Sequence, residues 1–188
     1  MHAYQRGITL PVTMLLLLTA LTIGASAAQM AMLGEKAARA ERDRLIAFQA
    51  AEDALMDAER DINAGLGQPL DVLSPEPNGT APAWQVVDLA GSGGTEYGAL
   101  TGARMDAGQG ALPFRRPRYL VERVAYTPAG APPAHYYRVT VLGFGPRPGA
   151  ETVLQASYVP ATPVRRYSWR EIMDWQALHK AAGGEGAP

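Results

Sequence analysis

The residues of this chain best suited to proton transfer or metal ligation are His2, His135 and His179. They stand far apart: one near the N-terminus, one in a proline-rich stretch, one near the C-terminus. No two have the spacing of a metal site, and no nucleophile–base pair is identifiable. There is no cysteine, which removes disulfide frameworks, thiolate metal sites and thiol catalysis together. The carboxylates Glu52, Asp53, Asp57, Glu59 and Asp61 crowd one stretch, and with Arg60 among them they read as a solvated face. Arg115, Arg116 and Arg118, with Arg165 and Arg166 further on, are the only basic clusters of the second half. The formal net charge of -1 disfavours nucleic acid, so these read as solubilising loop charges. GSGG (91–94) is too simple for a phosphate loop and reads as a flexible loop. Asn78-Gly79-Thr80 has the form of a glycosylation acceptor, a pattern frequent by chance. None of this makes a catalytic site, a cofactor site or a metal site, so the functional signal must lie in the elements themselves.

The first of these is apolar. No charged side chain occurs between Arg6 and Glu35. The span 8–34 is about the length that crosses a bilayer at ~1.5 Å per residue. Without water to bond its backbone, such a segment must be helical. Pro11 falls in the first turn, where its missing N–H costs little.

Residues 35–64 follow without a proline and are rich in alanine, glutamate, arginine and leucine, all good helix formers. Leu45, Phe48, Ala51, Leu55, Ala58 and Ile62 recur at spacings of three and four, which predicts one packing face. Glu35 with Arg39, and Arg39 with Asp43, are i,i+4 pairs on the exposed sides. Gly65, Gly67 and Pro69 end the run. One helix of about 55 residues, some 80 Å long, is predicted. Its first half is apolar all round and its second half amphipathic.

Three fates for the apolar half are compatible with the residues. A secretory signal peptide would use 14–23 as its apolar region and be cut after Ala27, releasing a soluble exported binding domain. A simple membrane anchor would keep it. The third is that the segment is retained as part of one long structural helix.

The sequence resembles a type IV pilin precursor, and more closely a PilX-type minor pilin. The resemblance is carried by Arg6-Gly7 before the apolar run, by RDRLIAFQAAEDALMDAE (42–59), and by PRYLVERV (117–124) and YRVTVLGFG…TVLQASYV (137–159). It leaves 65–116 uncovered. It implies cleavage by a prepilin peptidase between Gly7 and Ile8, N-methylation of Ile8, and retention of the helix. Most pilins carry glutamate at the fifth residue after the cut, where it meets the amino terminus of an adjacent subunit. Here that residue is Val12. A subunit without the carboxylate suits an end of the filament better than repeated packing within it. Counting positive charges sets Arg6 against Lys36, Arg39, Arg42 and Arg44, which alone favours the opposite orientation. A C-terminal part outside the membrane rests on the resemblance.

Residues 68–94 are rich in Pro, Gly, Ser and Asn, with one short strand candidate at 84–89. Strands are predicted over 118–126, 136–144 and 151–159, with a hairpin loop at GPRPGA (145–150). After Pro160 and Pro163, residues 168–182 read as a helix, Ser168 and Glu171 forming a capping-box pattern. Trp169 and Trp175 on it are candidate contacts to a partner.

The predicted fold class is α+β and pilin-like: a long N-terminal helix laid on a small antiparallel sheet through Leu45, Phe48, Leu55 and Ile62. The predicted organisation is a leader (1–7), a membrane or filament-core helix half (8–34), a globular domain (35–160) that includes the amphipathic half (35–64), and a C-terminal extension (161–188). The resemblance implies a non-enzymatic minor pilin without cofactors that takes part in priming assembly within a tip complex. Its implied partners are other minor pilins, the major pilin, a tip-associated adhesin, the inner-membrane assembly platform and the prepilin peptidase. It implies single-pass residence in the bacterial inner membrane with the C-terminal domain in the periplasm, then a place at the pilus tip. A minor pseudopilin of a type II secretion system is the alternative that shares the N-terminal physics.

Overall fold

The computed structural model describes residues 9–74, 81–130 and 132–183. By internal contacts the chain divides at Glu41/Arg42 into two units. The first is helix throughout its described part, and all of 9–42 is exposed in the isolated chain. The second holds the sheet, so the division lies beyond Gly34, the end of the apolar run.

Helix α1 runs Thr9–Ala64, 56 residues without interruption. It stops where the sequence changes chemistry. Gly65 takes a left-handed φ of 61°, and the amides of Gly65 and Leu66 return to the carbonyls of Ile62 and Asp61. There follow β1 (Leu70–Leu73), the single-turn helix α2 (Ala83–Val86), β2 (Thr95–Glu96), β3 (Arg118–Tyr126), β4 (Ala134–Phe144), β5 (Glu151–Val159), β6 (Arg165–Ile172) and α3 (Trp175–Ala181). The sheet order is β1-β3-β4-β5-β6, with β2 also paired to β3. The class is α+β. The sheet is mixed rather than purely antiparallel, because β1 runs parallel to β3.

The meander β3–β4–β5 forms over the β-branched and aromatic runs, with Phe144 opposite Glu151 across the 145–150 hairpin loop. Two predicted elements differ. Residues 84–89 are not a strand: Trp84 lies in α2 and is buried. Residues 168–172 are not helical: they complete β6, paired to β5, and α3 begins only at Trp175. The Ser168/Glu171 capping pattern therefore caps nothing. Pairing against the fully formed edge of β5 outweighs a local preference of a few tenths of a kcal/mol per residue. The segment 161–188 is thus no appended extension, since β6 is part of the sheet.

One face of the sheet packs on α1. Ala51, Ala54, Leu55 and Ala58 meet Tyr119, Val139, Val141, Leu154, Ala156 and Tyr158, with Phe48 and Ile62 partly buried beside them. Leu45 does not belong to this face: it is 58% exposed. Ala47, Ala51, Ala54 and Ala58 with Leu55 make the contact instead, and the close approach of the helix backbone to Gly143 at Ala47 and Ala51 suits small side chains. The second core gathers Trp84, Leu89, Leu142, Phe144, Val153, Ile172 and Trp175, with Phe114 edge-on to Phe144.

Burial on the helix side pushes the Tyr158 phenol up to about 12 from its ordinary 10.0, opposed by Arg166 and reinforced by Glu59 and Glu52. Burial, and next Asp61, raise Tyr119 still further. A raised acid keeps its proton in the folded state, so its contribution is complete below the unfolded pKa and is lost as pH rises through the folded one. Stability is expected to fall between pH 10 and about pH 12, in step with tyrosinate absorbance. Titration of all tyrosines below that window, without unfolding, would contradict the packing.

Candidate assembly surface

Beyond Thr9 at its start, the apolar half of α1 carries four hydroxyls that would be orphaned in hydrocarbon. Each bonds back along the helix: Thr13 donates to the Leu10 carbonyl at 2.9 Å, Thr19 to Leu16 at 2.8 Å, Thr22 to Thr19 at 2.8 Å and Ser26 to Thr22 at 2.9 Å. These polar groups are satisfied internally, as a lipid or filament-core environment requires. By length and composition α1 is the helix among the described residues that can cross a membrane. Val12 sits in this half, exposed on an uncharged surface. Gly7 and Ile8 lie outside the described residues, as does His2.

In the second unit long-range ion pairs among the described residues tie α1 to the strands and their loops. Arg147 of the β4–β5 loop meets Asp43 with its Nε at 2.9 Å. Arg44 pairs with Glu171 of β6 at 3.0 Å, and Glu52 with Arg166 at 3.7 Å. Glu35–Arg39 forms as an i,i+4 pair, but Asp43 turns to Arg147 instead of Arg39.

The acidic stretch is not a uniformly solvated face. Asp57 is fully buried: it accepts the Gly98 N–H at 2.7 Å and the Thr101 hydroxyl. Asp61 is nearly so, accepting the Gly67 N–H at 2.6 Å and the Tyr119 hydroxyl at 3.2 Å. Both anchor irregular backbone that has no ladder of its own. Glu52, Asp53 and Glu59 remain partly exposed.

The arginine cluster is likewise structural. Arg118 donates to the carbonyls of Ser92, Gly93 and Gly94, at 2.8, 2.7 and 3.0 Å. Arg115 donates to the Ala90 carbonyl and lies 4.0 Å over the Phe144 ring. Arg116 reaches the Met105 carbonyl and Glu96. The GSGG stretch is therefore an ordered turn, further fixed by Asp88 through the Gly91 amide at 2.7 Å.

The two tryptophans proposed as partner contacts part company. Trp175 is buried, stacked between Trp84 at 6.0 Å and His179 at 5.5 Å, so it belongs to the second core. Trp169 is 51% exposed and edge-on to Phe48 at 6.2 Å. Phe48, partly buried, and Trp169 make an apolar seam beside β6, with exposed Leu45 three residues earlier on α1, which the spacing of α1 alone could not show. His135 lies on β4, edge-on to Tyr137. His179 is buried with its Nδ1 on the Gln85 carbonyl. Among the described residues no group of three potential metal ligands occurs.

A long helix that is apolar and self-satisfied in one half and strapped to a mixed sheet in the other is a pilin arrangement, and the comparison with protein families decides which. The PilX N-terminal model matches residues 6–55, and the model of the type IV pilus assembly protein PilX C-terminal region matches 57–160, more than half of the chain. The chain belongs to the PilX family. The second match spans 65–116, which the sequence resemblance had left uncovered. No curated protein and no solved structure matches the chain. A PilX chain is a minor pilin, a structural component of type IV pilus assembly, and it works in contact with other pilus proteins. The apolar half of α1 fits residence in the inner membrane and then in the pilus.

Proposed function

We propose that this PilX-family minor pilin primes pilus assembly as part of a tip complex, after cleavage between Gly7 and Ile8 and N-methylation of Ile8. The observation that carries the reading is Val12. The helix from Thr9 to Gly34 has no ionisable side chain with which to meet a neighbour's amino terminus, so it cannot repeat that contact along a fibre. It can still bundle with other subunits' helices through close packing at its small residues, Gly24 to Ala28. A cut after Ala27 would sever the segment matched by the N-terminal family model, which favours retention. In this reading the C-terminal domain lies in the periplasm before assembly. The helix packs with other minor pilins and the major pilin, and the assembly platform, the prepilin peptidase and a tip-associated adhesin are the remaining partners.

The test is deletion of the chain in its host. Surface pili are expected to fall sharply in number while the amount of major pilin made stays constant. The mature protein's intact mass should correspond to a start at methylated Ile8, and quantitative mass spectrometry should find it scarce in sheared filaments. An abundance equal to the major subunit would end the tip reading, and a mature start at Ala28 would end the pilin processing itself.

A further inference from the structure

Strand β6 closes one end of the sheet, pairing with β5 and with no other described strand. Sheet edges are usually blunted by shortness, proline or covering elements, because unpaired backbone groups invite another strand. The opposite edge, β1, is four residues long, and Arg123 occupies its single charge, Asp71. β6 has eight residues and no proline. Its register slips at Ser157/Tyr158, so Ser168 and Arg166 have β5 partners and Tyr167 between them has none. Tyr167 is 68% exposed. Neither it nor exposed Arg165 makes an ion pair or side-chain hydrogen bond among the described residues. The seam of Trp169 and Phe48 lies alongside, bracketed by the Arg44–Glu171 and Glu52–Arg166 pairs. Exposed aromatic anchors inside a charged rim are the anatomy of a binding hot spot.

We propose that the outer edge of β6 and the Trp169 seam bind an extended, acidic strand of another pilus protein. The strand carries Arg165, Arg166 and Arg170 against the single acid Glu171, so a complementary strand is negative. Its backbone completes the ladder, while Tyr167 and Trp169 supply apolar anchors. A second copy joined through β6 would bring together two strands of the same net positive charge, which is a poorer electrostatic match than an acidic strand. Nucleic acid is a poorer match, because a strand edge offers a row of backbone N–H and C=O groups that another peptide backbone completes and phosphates do not, and the whole chain carries a formal net charge of -1. The surface is independent of whether the chain primes assembly, and it can be tested without pili.

The full-length chain in detergent is titrated with three synthetic peptides of about ten residues, followed by tryptophan fluorescence and calorimetry. One alternates glutamate and valine, one alternates lysine and valine, and one is a helix-forming glutamate–alanine peptide. Only the glutamate–valine strand is expected to bind saturably. Arg165→Glu and Tyr167→Ala should each weaken it by about fivefold, the size expected of one surface charge or one anchor. Both side chains are free of internal partners, so an unchanged melting temperature separates lost binding from lost fold. Equal binding of the lysine or helical peptide, no binding by any peptide, or affinity unmoved in both variants would overturn the proposal. So would a dimer of the full-length chain that Tyr167→Ala dissolves.

Discussion

Replacing Gly143 by alanine is expected to lower the melting temperature of the sheet unit by on the order of 10 °C. Gly143 lies in β4 beneath α1, and a Cβ built there collides with the Ala47 carbonyl oxygen, stands 2.6 Å from the Ala51 amide nitrogen and 2.8 Å from the Ala51 Cβ. The first two are helix backbone atoms, so no rotamer change relieves the clash. The helix must lift off the sheet, loosening the contacts of Ala47, Ala51, Ala54 and Leu55, all of which are buried. Overpacking costs about 1–3 kcal/mol and occasionally more, and the backbone origin puts this site at the top of that range. In a domain of this size about 3 kcal/mol moves the midpoint by roughly 6–12 °C. Gly34→Ala is the control: it stands in open space within α1 and should be neutral or slightly stabilising. Near-ultraviolet circular dichroism reads the sheet unit without interference from the exposed helix. A midpoint unmoved in Gly143→Ala would show that α1 does not approach β4 so closely.

The second large effect is expected at Asp57. Asp57→Leu removes the acceptor of the Gly98 N–H and the Thr101 hydroxyl and leaves both donors inside the fold. A buried unsatisfied donor costs about 1–3 kcal/mol, and more when the lost partner was charged, so a total loss of about 3–5 kcal/mol is expected. The damage should be local first. Gly98 has a φ of 75° and sits in a turn closed by the Gly102 amide on its carbonyl at 2.9 Å. Its amide should lose hydrogen-exchange protection before the strands do. Asp53→Ala, on the same helix but partly exposed, should change stability by about 0.5 kcal/mol or less. Wild-type protection at Gly98 in Asp57→Leu would refute the anchoring role.

These two sites mark how far one-dimensional patterns reach. The carboxylates from Glu52 to Asp61 look alike in sequence, and their proximity to Arg60 suggested water. What separates Asp57 and Asp61 from their neighbours is a set of amides more than forty residues away for Gly98 and six away for Gly67, brought in by the fold. A buried charge is decided by its acceptors and donors in space, and no period along a helix encodes those. The arginines at 115–118 follow the same logic, since their partners are loop carbonyls.

The sequence by itself determined the long helix and its end at Gly65, the meander of β3, β4 and β5 with its hairpin loop, and the membership of a minor-pilin family. The helix and the meander rest on local physics, which is hydropathy over a bilayer's length, helix propensity without proline and β-branched runs between glycine-rich turns, whereas the family rests on the resemblance of particular blocks such as 42–59. Tertiary structure alone decided that Leu45 stays exposed while alanines pack, that Trp175 is core and Trp169 surface, and that residues 165–172 form a strand. In each case the local preference is worth tenths of a kcal/mol. The competing term, pairing with β5 or the closeness of α1 to Gly143, is worth several, and it exists only once distant segments have met.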